Sequence, residues 1–467
     1  MQLTSPFFLF LFFPLSLPLV LLLPKTVRRL SLSLISILWY VLANVQNPQG
    51  LVHVALLIFF ATVLAYLPLP QRISVAKIRT VLGVTLPLCS FLTARILGEY
   101  FPRLYAYPIG LFFITLSIIS YFIDIARGDV ISPKNPLELI GYFLFFPTLC
   151  MGPVLRSKHF FDLTENISFQ PQRFTNGIRF YMIGYIKRMA VAAVFLRAME
   201  DILTFSAVLL HPLSYLFLLI FSFLCFYFYL TGSADLARGL AAMYGFELPR
   251  DRGLVPFSVA PHRVLYGSFL SFYNYLLDYI YQPLRRRFRG KACRPLGSCL
   301  LFALTVLAWR TRPETLLLAL PVLLFSLLAL CPAVRQKVHI RHWLMRILLT
   351  LISGLLCSFF TLGLLTEDPL DALRLAGAAF GNTAPYQPHY IFGMIRDGRY
   401  LIILSVLLLL LLPYLYMRHA LRKKCSERTE KTLLISETVL VFALFVLTIV
   451  FFMPQFPQYA TNGMFYM

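Results

Sequence analysis

From Ile202 to Ala234 the chain carries no Asp, Glu, Lys or Arg, with HPLSYLFLLIFSFLCFYFYL at its centre. A helix needs roughly 20 apolar residues, at 1.5 Å each, to cross a hydrocarbon core of about 30 Å. Comparable runs recur near 6–23, 30–44, 53–68, 80–95, 108–123, 138–151, 178–198, 205–230, 296–309, 315–331, 344–365, 399–416 and 433–453. Only 13% of the 467 residues are charged, against roughly 25% in a soluble domain, so the chain lacks the polar surface for a water-facing globule. The pattern predicts an all-α polytopic membrane protein of about 11–13 spans.

A net charge of +22 can signal nucleic acid, because Lys and Arg neutralise phosphates. Here the cations sit in short connections between spans, where the positive-inside rule uses them. They cluster at Lys25–Arg29, Arg72–Arg79, Arg285–Arg294, Arg335–Arg341 and Arg418–Lys431. Placing these in the cytoplasm puts both termini outside, together with Asn44–Gly50, Gly98–Tyr107 and Glu367–Asp397. No nucleic-acid partner is expected; the partners are membrane lipids, and the Arg285–Arg294 run also suits anionic headgroups. The first apolar run has no basic residue ahead of it and is expected to stay as a span rather than be cleaved. The eight cysteines show no CxxC and no Cys/His metal spacing, so no metal site is expected.

No soluble domain interrupts the runs, so residues 1–467 read as one membrane-embedded domain. It has N-terminal spans (1–135), a motif-bearing core (136–331) and C-terminal spans (332–467). Thr231–Arg294 is neither fully apolar nor convincingly soluble, and is expected to lie at the interface or re-enter the membrane. Such backbone survives at membrane depth only against protein or a water-lined cavity. A second interruption is TVLAWRTRPETLLLALP, Thr305–Pro321. Thr311 to Glu314 has the spacing of a capping box, with Pro313 in the first turn of the next helix. A turn is also cheaper than two arginines at the bilayer centre, each costing about 2.5–3.5 kcal/mol on insertion scales.

Five ordered stretches carry a resemblance. PIGLFFITLSIISYFIDIARG (Pro108–Gly128) supplies Gly110, Ser120, Tyr121, Asp124 and Arg127. YFLFFPTLCMGPVLRSKHF (Tyr142–Phe160) supplies Pro147, Gly152, Pro153 and Arg156. GIRFYMIGYIKRMAVA (Gly177–Ala192) follows. YLTGSADLARGLAAMYGFELP (Tyr229–Pro249) supplies Gly232, Asp235 and Gly245, and DYIYQPL (Asp278–Leu284) supplies Asp278, Tyr281 and Pro283. In this order they resemble the motifs of the bacterial membrane-bound O-acyltransferase (MBOAT) family, of the alginate O-acetylase and teichoic-acid D-alanyl transferase type. The resemblance covers nearly the whole chain.

The resemblance implies a helical bundle with a central funnel in a bacterial inner membrane, moving an acyl group onto a hydroxyl. An acyl-CoA or acyl-carrier thioester would enter from the cytoplasm, with no bound cofactor. An acyl-carrier protein and a periplasmic SGNH-type acyltransferase are the partners implied. The family's base is a histidine, whose neutral imidazole can take a hydroxyl proton near pH 7. In this chain the slot of the "W-H-G" histidine, marked by Trp309, holds Arg310, and the upstream histidine slot holds Phe269. Arginine stays protonated and has no acceptor lone pair; phenylalanine has no proton chemistry.

His262, His159, His211, His339, His342, His389 and His419 read as ordinary polar or interfacial residues. The candidate channel and substrate-binding residues are Asp124, Arg127, Arg156, Asp235, Asp278, Tyr281, Trp309 and Arg310. Asp235 and Asp278 are expected to pair with nearby arginines, because an unpaired carboxylate is expensive inside a membrane. The structural motif residues are Gly110, Pro147, Gly152, Pro153, Gly232, Gly245 and Pro283. The expected function is that of a catalytically degenerate member of a cell-surface polymer O-acylation system. A working O-acyltransferase with a relocated base is the rival, and a transporter of lipid or anionic substrate is the third reading.

Overall fold

The structure is a computed structural model that describes residues 3–67, 73–101, 103–150, 152–165, 167–206, 211–248, 264, 270–287, 313–330, 343–366, 368–381 and 427–452. Among these every regular element is helical, as an all-α polytopic membrane protein requires. Pro48–Tyr66, Ala76–Tyr100, Pro212–Met243 and Ile347–Leu365 are each long and apolar enough to cross a membrane. Many of their large side chains face outward, among them Phe59, Phe60, Val81 and Leu351. In lipid such exposure carries no hydrophobic penalty.

Proline opens helix after helix, because its missing N–H falls where no intrahelical partner exists. After α1 (Phe13–Leu21) and α2 (Lys25–Ala43), α3 (Pro48–Tyr66) starts at Pro48. Asn47 caps it, its side chain accepting from the Gly50 N–H at 2.9 Å. α4 (Ile73–Tyr100) and α5 (Leu111–Arg127) return across the bundle. α6 (Pro136–Phe143) repeats the device, with Asn135 accepting from the Leu137 N–H at 3.0 Å. The apolar run 138–151 is not one helix. It breaks after α6 and restarts as the four-residue α7 (Phe146–Leu149), with Pro147 in its first turn, because proline cannot continue the ladder.

α8 (Ser157–Glu165) leads to α9 (Pro171–Ile186), which continues through a π turn, Lys187–Ala192, into α10 (Ala193–Ser206). α11 (Pro212–Met243) has 32 residues, about 48 Å at 1.5 Å each. Thr231–Met243, expected to be interfacial or re-entrant, is its continuous C-terminal end. α12 (Leu270–Leu276) passes through a further π turn, Leu277–Tyr281, into α13 (Gln282–Arg287). α14 (Pro313–Leu330) follows, and Thr311 and Arg312 of the expected capping box lie outside the described residues. α15 (Trp343–Leu365), α16 (Asp371–Gly381) and α17 (Glu427–Phe452) complete the described helices.

α9 and α11 meet along a glycine seam. A Cβ on Gly184 would lie 2.6 Å from the Gly232 carbonyl, and one on Gly239 would lie 2.8 Å from the Gly177 carbonyl. The order is antiparallel, and the seven-residue spacing on both helices keeps the glycines on one face. Small residues allow this backbone approach, the main source of helix association where lipid is as apolar as leucine. Gly152 extends the contact: its Cβ would meet the Ala237 Cβ of α11 at 2.8 Å. The FFP segment packs beside it, with Phe145, Phe146 and Tyr142 all buried.

Candidate functional site

α5 ends in a left-handed glycine, Gly128 at φ 76°, with the Asp129 N–H donating to the Asp124 carbonyl at 2.9 Å. That cap fixes the last turn, which carries Asp124 and Arg127. Asp124 is 3% exposed. Its Oδ2 accepts from the Ser157 hydroxyl at 2.6 Å, and its Oδ1 accepts from the Tyr279 hydroxyl at 2.7 Å. Hydroxyl donors to an ionised acceptor are among the stronger hydrogen bonds and satisfy both carboxylate oxygens.

Around Tyr279 the charges balance. Arg156 forms an ion pair with Asp278 and also donates to the Asn274 carbonyl at 3.0 Å. Arg127 donates to the Asp278 carbonyl at 3.1 Å. The two guanidiniums lie 5.0 Å (Arg127) and 5.7 Å (Arg156) from the Tyr279 ring centroid, within cation–π range. Tyr279 and Asp278 sit on the π turn of the 270–287 helix, and such turns re-aim side chains where an α-helix would not. Tyr275 donates to the Leu116 carbonyl at 3.0 Å, and Ser271 accepts from the Val154 N–H at 3.0 Å. Tyr142 bridges the Ser120 hydroxyl at 2.7 Å and the Leu155 carbonyl at 3.1 Å.

Four sequence-predicted residues therefore converge: Asp124, Arg127, Arg156 and Asp278. Asp235 does not join them. It pairs with Lys187 at 2.6 Å and Arg238 at 3.6 Å on the α9–α11 seam. Beside it Arg188 donates to the Tyr229 hydroxyl at 3.0 Å and stacks 4.7 Å over that ring. Both aspartates are paired, as expected, although Asp235 makes its shorter pair with a lysine. Tyr281 is half-buried against the core. Phe269, Trp309 and Arg310 lie outside the described residues, as do His262, His339, His342, His389 and His419.

The motif glycines and prolines behave as structure. Gly110 and Gly245 hold positive φ, at 79° and 99°, and Pro283 lies at the start of α13. Gly152 and Pro153 are buried in the segment leading to Arg156. His211 caps α11, its Nδ1 accepting from the Leu213 N–H at 3.3 Å. His159 is exposed on α8, and partial covering of its ring, then the Arg156 charge, lowers its pKa below the ordinary histidine value.

Sequence reasoning missed Ser157, Tyr279, Lys187 and Arg188. Ser157 and Tyr279 each adjoin a residue it did single out, and Lys187 and Arg188 lie inside the quoted stretch GIRFYMIGYIKRMAVA, so membership of a motif was the available signal. It also passed over His53, inside α3. Its Nε2 lies 2.7 Å from the Ser90 hydroxyl and its Nδ1 lies 2.8 Å from the Tyr105 hydroxyl. Among the described residues no group of three or more His, Cys, Asp and Glu side chains could hold a metal ion.

No family model matches the chain. Among curated proteins it is similar to the probable alginate O-acetylase AlgI of Pseudomonas aeruginosa, 28% identical over 313 residues, covering 61% of this chain and 57% of that protein. The corresponding Azotobacter vinelandii protein is 28% identical over 313 residues, covering 61% and 60%. That of Pseudomonas putida is 31% identical over 189 residues, covering 39% and 37%. The matched region thus spans less than two thirds of each relative's length. The resemblance carried by the five motifs is borne out: the chain is similar to membrane-bound O-acyltransferases of the alginate O-acetylase type.

Proposed function

We propose that this chain is the membrane-embedded part of a system that O-acylates a cell-surface polysaccharide, by acetylation or D-alanylation, and that it is degenerate at the family's histidine positions. One observation carries the reading. Three motif stretches far apart in sequence supply Asp124 and Arg127, Arg156 and Ser157, and Asp278 and Tyr279 to one charge-balanced cluster. The similarity to proteins named alginate O-acetylase supports the polysaccharide. On this reading the donor is an acyl-CoA or acyl-carrier thioester, and the setting is a bacterial inner membrane with both termini outside. A periplasmic SGNH-type acyltransferase and an acyl-carrier protein are the partners that fit.

The relocated-base reading is favoured by His53, an imidazole with hydroxyls at both nitrogens. No comparable observation favours a transporter. The test is label in the product. Cells with and without this gene are grown on labelled acetate or D-alanine, and alkali-labile label in surface polysaccharide is counted. A drop on deletion supports the proposal; equal label in both strains refutes it.

A further inference from the structure

We infer that Ser90 is an acyl-accepting nucleophile activated by His53, a second chemical site between α3 and α4 for an acyl thioester donor and a hydroxyl acceptor. The substrate class rests on the acyl-transfer reading above; the site rests on geometry. With Nδ1 protonated and donating to the Tyr105 hydroxyl at 2.8 Å, the lone pair of Nε2 faces Ser90 Oγ at 2.7 Å. This is a nucleophile, a base within hydrogen-bond reach and a third group orienting the base. Tyr105 also fixes the ring plane, its centroid 5.8 Å from the imidazole at 51°.

Ser90, His53 and Tyr105 are all partly exposed, so a substrate carbonyl can approach. They lie towards the 101–110 connection, on the side that the charge pattern places outside. A purely structural role explains less. A hydrogen bond between membrane helices contributes little on average, and Ser with Asn would make one without an ionisable ring. Ionisable groups are expensive within a span and mark functional sites there.

In the first step Ser90 Oγ attacks the thioester carbonyl. Its proton passes to His53 Nε2 and then to the departing thiolate, so a C–S bond breaks as the ester C–O bond forms. In the second step an acceptor hydroxyl attacks that ester. His53 takes its proton and returns it to Ser90 Oγ, releasing the acylated acceptor and the free serine. No oxidant or reductant is needed. Tyr105 is a positioning residue: it orients the ring, and its hydroxyl can accept from Nδ1–H in the tautomer that leaves Nε2 free.

The test uses the full-length protein in lipid nanodiscs. It is treated separately with a fluorophosphonate probe and with acetyl-CoA, and adducts are located by peptide mass spectrometry. The expected result is both adducts on Ser90. Probe labelling should slow by about 100-fold or more in His53→Asn, the lower end of general-base effects, and by about tenfold in Tyr105→Phe. Ser90→Cys should carry the acetyl group as a thioester, which separates lost chemistry from lost folding. No adduct on Ser90 of the unmodified protein, or equal labelling rates in a folded His53→Asn, would overturn the assignment. The two proposals fail separately. Ser90 adducts without label in surface polysaccharide would sink the polysaccharide reading alone; unchanged polysaccharide label in Ser90→Ala cells would sink the nucleophile alone.

Discussion

Adding one methyl group at Gly184 tests the seam on which the bundle is built. The new Cβ would sit 2.5 Å from the Leu236 amide nitrogen, 0.9 Å inside the 3.4 Å at which ordinary contact begins. The Gly232 carbonyl at 2.6 Å is no freer to move, since both are helix backbone. Overpacking of this kind costs typically 1–3 kcal/mol, while Ala favours the helix over Gly by about 1 kcal/mol. The net expectation for Gly184→Ala is a loss of up to about 2 kcal/mol. Gly354 on α15 has nothing within 4 Å of its Cβ position. Gly354→Ala should therefore stabilise by up to about 1 kcal/mol. Thermal unfolding in one detergent, read by tryptophan fluorescence, should move the two midpoints in opposite directions. The separation should also weaken Lys187–Asp235, one turn from the glycine contact. Equal midpoints for the two variants would refute the seam as the organising contact.

Further outcomes follow from the site. Asp124→Ala leaves the Ser157 and Tyr279 hydroxyls without their shared acceptor, at about 1–3 kcal/mol for each group left unsatisfied. Asp124→Asn, which can still accept one hydrogen bond, should be milder, and thermal unfolding of the pair checks the order. The Arg156–Asp278 pair keeps 23% and 30% exposure, so a double-mutant cycle should return roughly 1 kcal/mol or less. His159 should titrate below its ordinary value of about 6.5, by NMR of labelled protein. Because its folded pKa is depressed, it remains neutral at pH 7 and opposes folding only as pH falls below the unfolded value.

The helical class is legible in the sequence because it follows from run length alone: Pro212–Met243 and Ile347–Leu365 stand out as apolar stretches by composition. The break in 138–151 is legible from Pro147, which cannot continue a helix, even though hydropathy averages over it. Thr231–Met243 reads as interfacial because Asp235 and Arg238 interrupt its apolar pattern. The Lys187–Asp235 pair across the seam and the Arg238–Asp235 pair within α11 offset that polarity, and the first of these is tertiary information. His53 escapes for the same reason. Its partners Ser90 and Tyr105 are 37 and 52 residues away, and no local pattern links them.

The cluster around Tyr279 also bears on what the matched motifs can imply. Asp124 is held by two hydroxyls, Arg156 by Asp278 and a backbone carbonyl, and Arg127 by another carbonyl. Each residue has a partner from a different stretch, so removing one leaves a buried or half-buried polar group unsatisfied. These residues therefore support one another as a scaffold whether or not a histidine stands at Phe269 or Arg310. Their presence argues for the fold and its charge-balanced cluster, and by itself says nothing about a proton acceptor. That role needs a group with a free lone pair near a hydroxyl, and among the described residues His53 beside Ser90 has that geometry. Acyl label on Ser90 is accordingly the measurement that separates a scaffold from a catalyst.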